Sequence, residues 1–135
     1  MKVPQTLGRH IIIEYFGCDE TVIKDNKVVE QHMLEAARRA KATIVQSVFH
    51  TFNPYGVSGA VIIEESHLSI HTWPEYGYAS VDVYTCGDID PWAAFEYLEK
   101  AFNANHSEST ELPRGVHEKI KKYARVDIEG EITLK

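Results

Sequence analysis

The sequence predicts an α+β fold, a two-layer sandwich in which two helices cover one side of a mainly antiparallel sheet. Two segments, one at 27–42 and one opening at Asp90, carry apolar residues at helical spacing. The other apolar residues fall in short runs rich in β-branched and aromatic types. Those central runs are separated only by brief polar breaks, which suit hairpins between antiparallel strands. With 135 residues and no linker-like stretch, residues 1–135 are expected to form a single domain.

The first strand is expected at 10–16, where Ile11, Ile12 and Ile13 precede Tyr15 and Phe16, and it ends at Gly17 before a turn at Cys18 and Asp19. Over 27–42, Val29, Met33, Ala36, Ala37 and Ala40 form the apolar side of a helix, with Glu30, Glu35, Arg38 and Arg39 left to solvent. A strand follows over 43–52, and the turn Asn53-Pro54-Tyr55-Gly56 interrupts it before a further strand at 57–63. Glu64, Glu65 and Ser66 make a polar break, and strands are expected at 67–72 and 78–85. Asp90 before Pro91 reads as a helix cap and first turn, because the aspartate accepts an orphan N–H and proline lacks one. Ala94, Phe95, Leu98, Ala101 and Phe102 then share one side of the second helix. Beyond Asn103 the pattern weakens, leaving a short strand at 108–112 and a strand or tail at 124–134.

Hydrophobic residues at 44% and charged residues at 25% place the chain among ordinary globular proteins rather than disordered or fibrous ones. Lys and Arg total 14 against 20 Asp and Glu, a net charge of -6, so nucleic acid is not an expected partner. The cluster Arg38, Arg39 and Lys41 reads as a solvated helix side. The amino terminus lacks the apolar run and cleavage pattern of a secretory signal, and no run is long enough for a membrane helix. A cytoplasmic location is therefore expected, with Cys18 and Cys86 as reduced thiols.

Chemistry-bearing side chains concentrate in the middle of the chain, at Ser58, Ser66, His67, His71, Glu75 and Cys86. Strand alternation places His67, Ser69 and His71 on one face and Leu68 and Ile70 on the other. That suits a polar pocket beside an apolar sheet, and equally a solvated edge strand with hydrogen-bonded histidines. His67, His71 and Cys86 are possible zinc ligands, but their spacing matches no ligand pattern and a site needs three or four convergent donors, so no metal is expected. Ser66 lacks the Gly-x-Ser-x-Gly elbow of a serine hydrolase, and neither Gly-x-Gly-x-x-Gly nor a Walker A run is present to cradle phosphates.

The string GVSGAVIIEESHLSIHTWPEYGYASVDVYTCG, with LGRHIIIEYFGCD and FHTFNPYGVSG upstream and DPWAAFEYLEKAF downstream, resembles the prokaryotic S-adenosylmethionine decarboxylase proenzyme family, which is pyruvoyl-dependent. The resemblance runs from Leu7 to Phe102, and its most specific part is ESHLSIHTWPE together with YTCG. It implies a small α+β sandwich that forms a homodimer, with active sites close to the subunit interface, and a proenzyme that cuts itself between Glu65 and Ser66 into residues 1–65 and 66–135. Ser66 Oγ would attack the Glu65 carbonyl and convert the peptide bond to an ester. Abstraction of the Ser66 α proton, assigned by the resemblance to His71, would release Glu65 and leave dehydroalanine, and loss of ammonia would leave a covalent pyruvoyl group. Ser58 matches the serine that assists processing.

In the mature enzyme the resemblance implies a Schiff base between that group and S-adenosylmethionine, loss of CO2, and formation of S-adenosylmethioninamine for spermidine biosynthesis. Cys86 matches the residue that returns a proton to the substrate α carbon, and is expected to affect turnover more than cleavage. Phe52 and His71 match an adenine-stacking pair, and Glu75 matches an acidic residue binding the ribose hydroxyls. Archaeal relatives with the same self-processing core act on arginine, so a pyruvoyl-dependent arginine decarboxylase is the nearest alternative. A dimeric small-molecule binding module on the same sandwich is a second.

Overall fold

A computed structural model describes residues 5–130 and 132. Its elements run β1 (Thr6–Phe16), α1 (Glu20–Ile23), α2 (Asn26–Arg39), β2 (Ile44–Thr51), β3 (Val57–Ile63), β4 (Ser66–Trp73), β5 (Tyr78–Cys86), α3 (Pro91–Ala101), β6 (His106–Val116) and α4 (His117–Tyr123). A 3-10 turn, Pro74–Tyr76, joins β4 to β5. The strands form one sheet in the order β2-β3-β4-β5-β1-β6, with every neighbouring pair antiparallel. Four successive strands, β2 to β5, make a meander, and β1 lies between β5 and β6. This is the expected α+β sandwich.

Alternation along the strands decides which face is covered. Ile11, Ile13 and Tyr15 of β1, Val61 and Ile63 of β3, Leu68 and Ile70 of β4, and Ala79, Val81 and Val83 of β5 are all buried. They meet Val29, Met33, Ala36 and Ala37 of α2 and Ala94 and Leu98 of α3 in one core. Each large aliphatic side chain removed from water there contributes about 1.5–3 kcal/mol. The Tyr15 hydroxyl reaches the Phe95 carbonyl at 2.8 Å, which satisfies a polar group inside that core, and burial pushes its ionisation far upward. Phe49 of β2 lies across Gly59, its partner on β3, where any Cβ would collide with the ring. Glycine at 59 therefore makes room for the aromatic ring that closes this edge of the core.

Helix ends follow their side chains. Asp25 caps α2 by accepting from Lys27 and Val28 N–H, and Asp90 caps α3 by accepting from Trp92 and Ala93 N–H, with Pro91 in the first turn as expected. The expected helix at 27–42 instead stops at Arg39, because Lys41 turns left-handed at φ 67° while Lys41 and Ala42 N–H bond back to Arg38 and Ala37. Asn103, at φ 53°, ends α3 in the same way.

The carboxy-terminal region departs most from expectation. In place of a short strand at 108–112, β6 spans eleven residues paired along the whole of β1, and its almost fully exposed side chains carry no buried alternation. Over 124–134 the described residues 124–130 and 132 form no strand, residues 131, 133 and 134 lie outside the described residues, and α4 precedes them. Among the described residues no helix is long and apolar enough to cross a membrane.

Among the described residues no helix covers the second sheet face. It carries His10, Ile12, Ser58, Ile62, His67, Ser69, His71, Asp82 and Tyr84, which are neighbours by strand register. Ile12, Val48, Ile62 and Leu112 are exposed apolar residues on the same open face.

Candidate active site

The expected site residues fall into two groups at opposite ends of the open face. The first is built on the β3–β4 hairpin, whose two-residue turn, Glu64-Glu65, leads directly into Ser66. Thr43 clamps this turn, its carbonyl accepting from Glu64 N–H at 2.9 Å and its N–H donating to Glu65 Oε1 at 3.1 Å. Ser66 has φ 148°, a conformation that suits glycine and costs a serine on the order of 1–3 kcal/mol. Antiparallel register brings the end of β5 alongside, and the Cys86 thiol donates to the Glu65 carbonyl oxygen at 2.9 Å. A cavity of about 520 Å³ opens here, lined by Leu7, Gly8, Glu65, Ser66, Tyr84, Cys86 and Ile132.

The second group sits where β3 begins and β4 ends. Ser58 and His71 are direct cross-strand partners, and Ser58 Oγ shares a hydrogen bond of 2.7 Å with His71 Nδ1. Phe52 lies in the loop closed by its own N–H bonding to the Gly56 carbonyl, with its ring edge-on to His50 and 49% of its surface exposed. Glu75 lies exposed in the 3-10 turn after β4. From Ser66 to His71 there are five residues of extended β4, about 16 Å at 3.2–3.4 Å per residue. One copy of the chain therefore brings Glu65, Ser66 and Cys86 together, and Ser58 with His71, but does not bring the two sets into contact.

Between the groups a polar row crosses four strands. Arg114 Nη1 lies 2.9 Å from His10 Nδ1, His10 Nε2 lies 3.0 Å from Asp82 Oδ1, and Ser69 Oγ donates to Asp82 Oδ2 at 3.2 Å. His67 stands edge-on to Tyr84, and its pKa lies below the ordinary histidine value, through burial first and then the neighbouring His10, with Asp82 opposing. Sequence reasoning missed this row and Tyr84. Tyr84 was within reach, since it lies two residues before Cys86 and so shares its strand face. Arg114 was not, because it lies on the strand with no alternation signal.

Both cysteines are free thiols, and burial pushes the Cys18 thiol up to about 11, away from reactivity. Among the described residues no cluster of three or more His, Cys, Asp or Glu is arranged to hold a metal ion. The first group can support an acyl shift: a hydroxyl follows the carbonyl it would attack, and a thiol already donates to the oxygen on which charge would develop.

Residues 9–115 match the family model described as S-adenosylmethionine decarboxylase. The S-adenosylmethionine decarboxylase proenzyme of Thermotoga petrophila is 53% identical over 117 residues, covering 86% of this chain and 90% of that protein. The proenzyme of the same name from Caldicellulosiruptor saccharolyticus is 50% identical over 121 residues, 89% of this chain and 98% of its own. Among solved structures, the adenosylmethionine decarboxylase of Aquifex aeolicus superposes with a TM-score of 0.78 at 34% identity, covering 95% of this chain and 99% of that one.

Proposed function

The chain belongs to the S-adenosylmethionine decarboxylase family, and we propose that it releases CO2 from S-adenosylmethionine with a pyruvoyl group made from its own Ser66. The observation that carries this reading is the junction itself: a strained Ser66 directly after a carbonyl that Cys86 already holds at 2.9 Å.

The residues present suit formation of that group. Attack of Ser66 Oγ on the Glu65 carbonyl carbon moves charge onto the oxygen facing Cys86, and collapse breaks the peptide bond as the ester forms. That exchange also frees Ser66 from its left-handed backbone. Removal of the Ser66 α proton expels the Glu65 carboxylate and leaves dehydroalanine at 66. Tautomerisation to the imine and hydrolysis then release ammonia, with residues 1–65 and 66–135 as separate fragments. The pyruvoyl group supplies an electron sink for the departing carboxylate. Cys86 stands beside it to return a proton to the substrate α carbon, so this thiol serves both processing and turnover. The hydrogen bond thus adds a role in cleavage to the expected role in turnover.

The roles of Ser58 and His71 require a second copy. Ser58–His71 and Glu65–Ser66–Cys86 occupy opposite ends of one open face, and an isologous pairing sets each end of one copy against the other end of its partner. Two complete sites result, with His71 of one copy in reach of the Ser66 α carbon of the other. Exposed Ile12, Val48, Ile62 and Leu112 supply apolar area for that homodimer. Phe52 and His71 then flank the adenine and Glu75 accepts from the ribose hydroxyls, contacts that have no counterpart in arginine. Product formation for spermidine biosynthesis and a cytoplasmic location complete the reading.

Intact-mass measurement tests it. Two fragments are expected, 1–65 and 66–135, the second resistant to amino-terminal sequencing. An active preparation that remains uncut contradicts the mechanism.

A further inference from the structure

The polar row on the open face has no part in the chemistry above, yet one end of it grips a wall of the cavity. Tyr84 lines that cavity with Ser66 and Cys86, and four neighbours fix its ring. His10 stacks on it at 5.2 Å with the planes 15° apart, His67 meets it edge-on at 5.6 Å, and the Arg114 guanidinium carbon stands 5.0 Å from the ring centroid. Beneath it lies Gly8, where a Cβ would fall 2.5 Å from Tyr84 Cε1 and 3.0 Å from the Thr85 carbonyl oxygen. The absence of a side chain at 8 is what lets the ring lie across β1.

Arg114 also dictates the state of His10. A guanidinium only donates, so the 2.9 Å contact with Arg114 Nη1 makes His10 Nδ1 an acceptor. His10 is then the neutral Nε2–H tautomer and donates to Asp82 Oδ1 at 3.0 Å, while Ser69 occupies the other Asp82 oxygen. Asp82, an acceptor only, requires the Nε2–H by itself, so what removal of Arg114 takes away is the donor at His10 Nδ1 and a neighbour of the Tyr84 ring. Arg114 lies exposed on an edge strand, where such a contact contributes little to stability, so its replacement leaves the fold in place.

We propose that Tyr84 contacts the amino-acid end of the substrate beside Ser66, and that Arg114 is a positioning residue that holds this wall by bracing both the Tyr84 ring and the His10 ring stacked on it. This rests on the decarboxylase reading, since Ser66 is where the amino-acid end must lie. The adenosyl end is assigned to Phe52 and Glu75, so Tyr84 addresses a different part of the ligand.

The experiment compares wild type with Arg114→Met, Arg114→Lys and Tyr84→Leu in the full chain. Nitrogen-15 histidine spectra of the wild type should show His10 protonated at Nε2 alone; Arg114→Met, which removes the donor to Nδ1, should shift the His10 Nδ1 resonance, and Arg114→Lys, which keeps a donor, should restore it. In steady-state assays with S-adenosylmethionine, Arg114→Met and Tyr84→Leu should lose roughly tenfold or more in kcat/KM, mainly through KM, with lysine recovering much of it. Wild-type kinetics in a fully processed Arg114→Met, or an unchanged His10 spectrum, overturns the proposal. Loss of the dimer in Arg114→Met that lysine does not repair also overturns it, by assigning Arg114 to assembly. A wild type that neither cuts itself nor releases CO2 refutes the decarboxylase reading instead, and the His10 spectrum still reports on the contact with Arg114.

Discussion

Replacing Cys86 with alanine should slow self-cleavage as well as decarboxylation. The thiol donates to the Glu65 carbonyl oxygen at 2.9 Å, so it is already aimed at the atom that becomes negative when Ser66 attacks. Removal of one preorganised oxyanion donor costs roughly 10²–10³ in rate. A thiol is a weaker donor than an amide or hydroxyl, which lowers the expected cost to about 10–100-fold, or ~1.4–2.7 kcal/mol of barrier. The strain at Ser66, φ 148°, is untouched by the substitution, so slow cleavage should persist rather than vanish. Freshly synthesised chain can be followed by intact mass, with the appearance of residues 66–135 giving the processing rate. Cys86→Ser should fall between wild type and alanine, because a hydroxyl donates well but sits on a shorter bond. Cleavage of Cys86→Ala at the wild-type rate would refute the oxyanion role and leave the thiol with turnover alone.

Two further outcomes follow from the same geometry. Ser66→Ala and Ser58→Ala should each remain uncut alone, yet co-expression should produce cleavage of the Ser58→Ala chain, because a mixed dimer contains one complete site; absence of that cut on mixing refutes the shared site. Gly59→Ala should destabilise by about 1–3 kcal/mol as its methyl meets the Phe49 ring, and Phe49→Ala should relieve part of that cost, as read from urea unfolding midpoints; additive losses would contradict the contact.

Much of the fold was legible because burial writes periodicity into sequence. Val29, Met33, Ala36 and Ala37 announce α2, and the Asp90-Pro91 pair announces the start of α3. The last strand, β6, was compressed to a few residues because an exposed edge such as Ser107 to Arg114 alternates nothing, and only pairing with β1 defines it. At the site, residue types and the Glu65–Ser66 junction were readable, but the distances were not. Ser66 and His71 look adjacent in sequence, whereas an extended strand sets them about 16 Å apart. The contact between Cys86 and Glu65 depends on the β4–β5 register that sets His67 opposite Tyr84, which no local pattern encodes. Backbone strain at Ser66 likewise arises from the two-residue turn before it rather than from the serine itself.

Release of labelled CO2 from carboxyl-labelled S-adenosylmethionine and from carboxyl-labelled arginine, measured in parallel on fully processed protein, bears on the whole reading. Turnover of S-adenosylmethionine alone is expected, with Ser66→Ala silent on both substrates. Release from arginine in preference, or from S-adenosylmethionine by the Ser66→Ala chain, would contradict it.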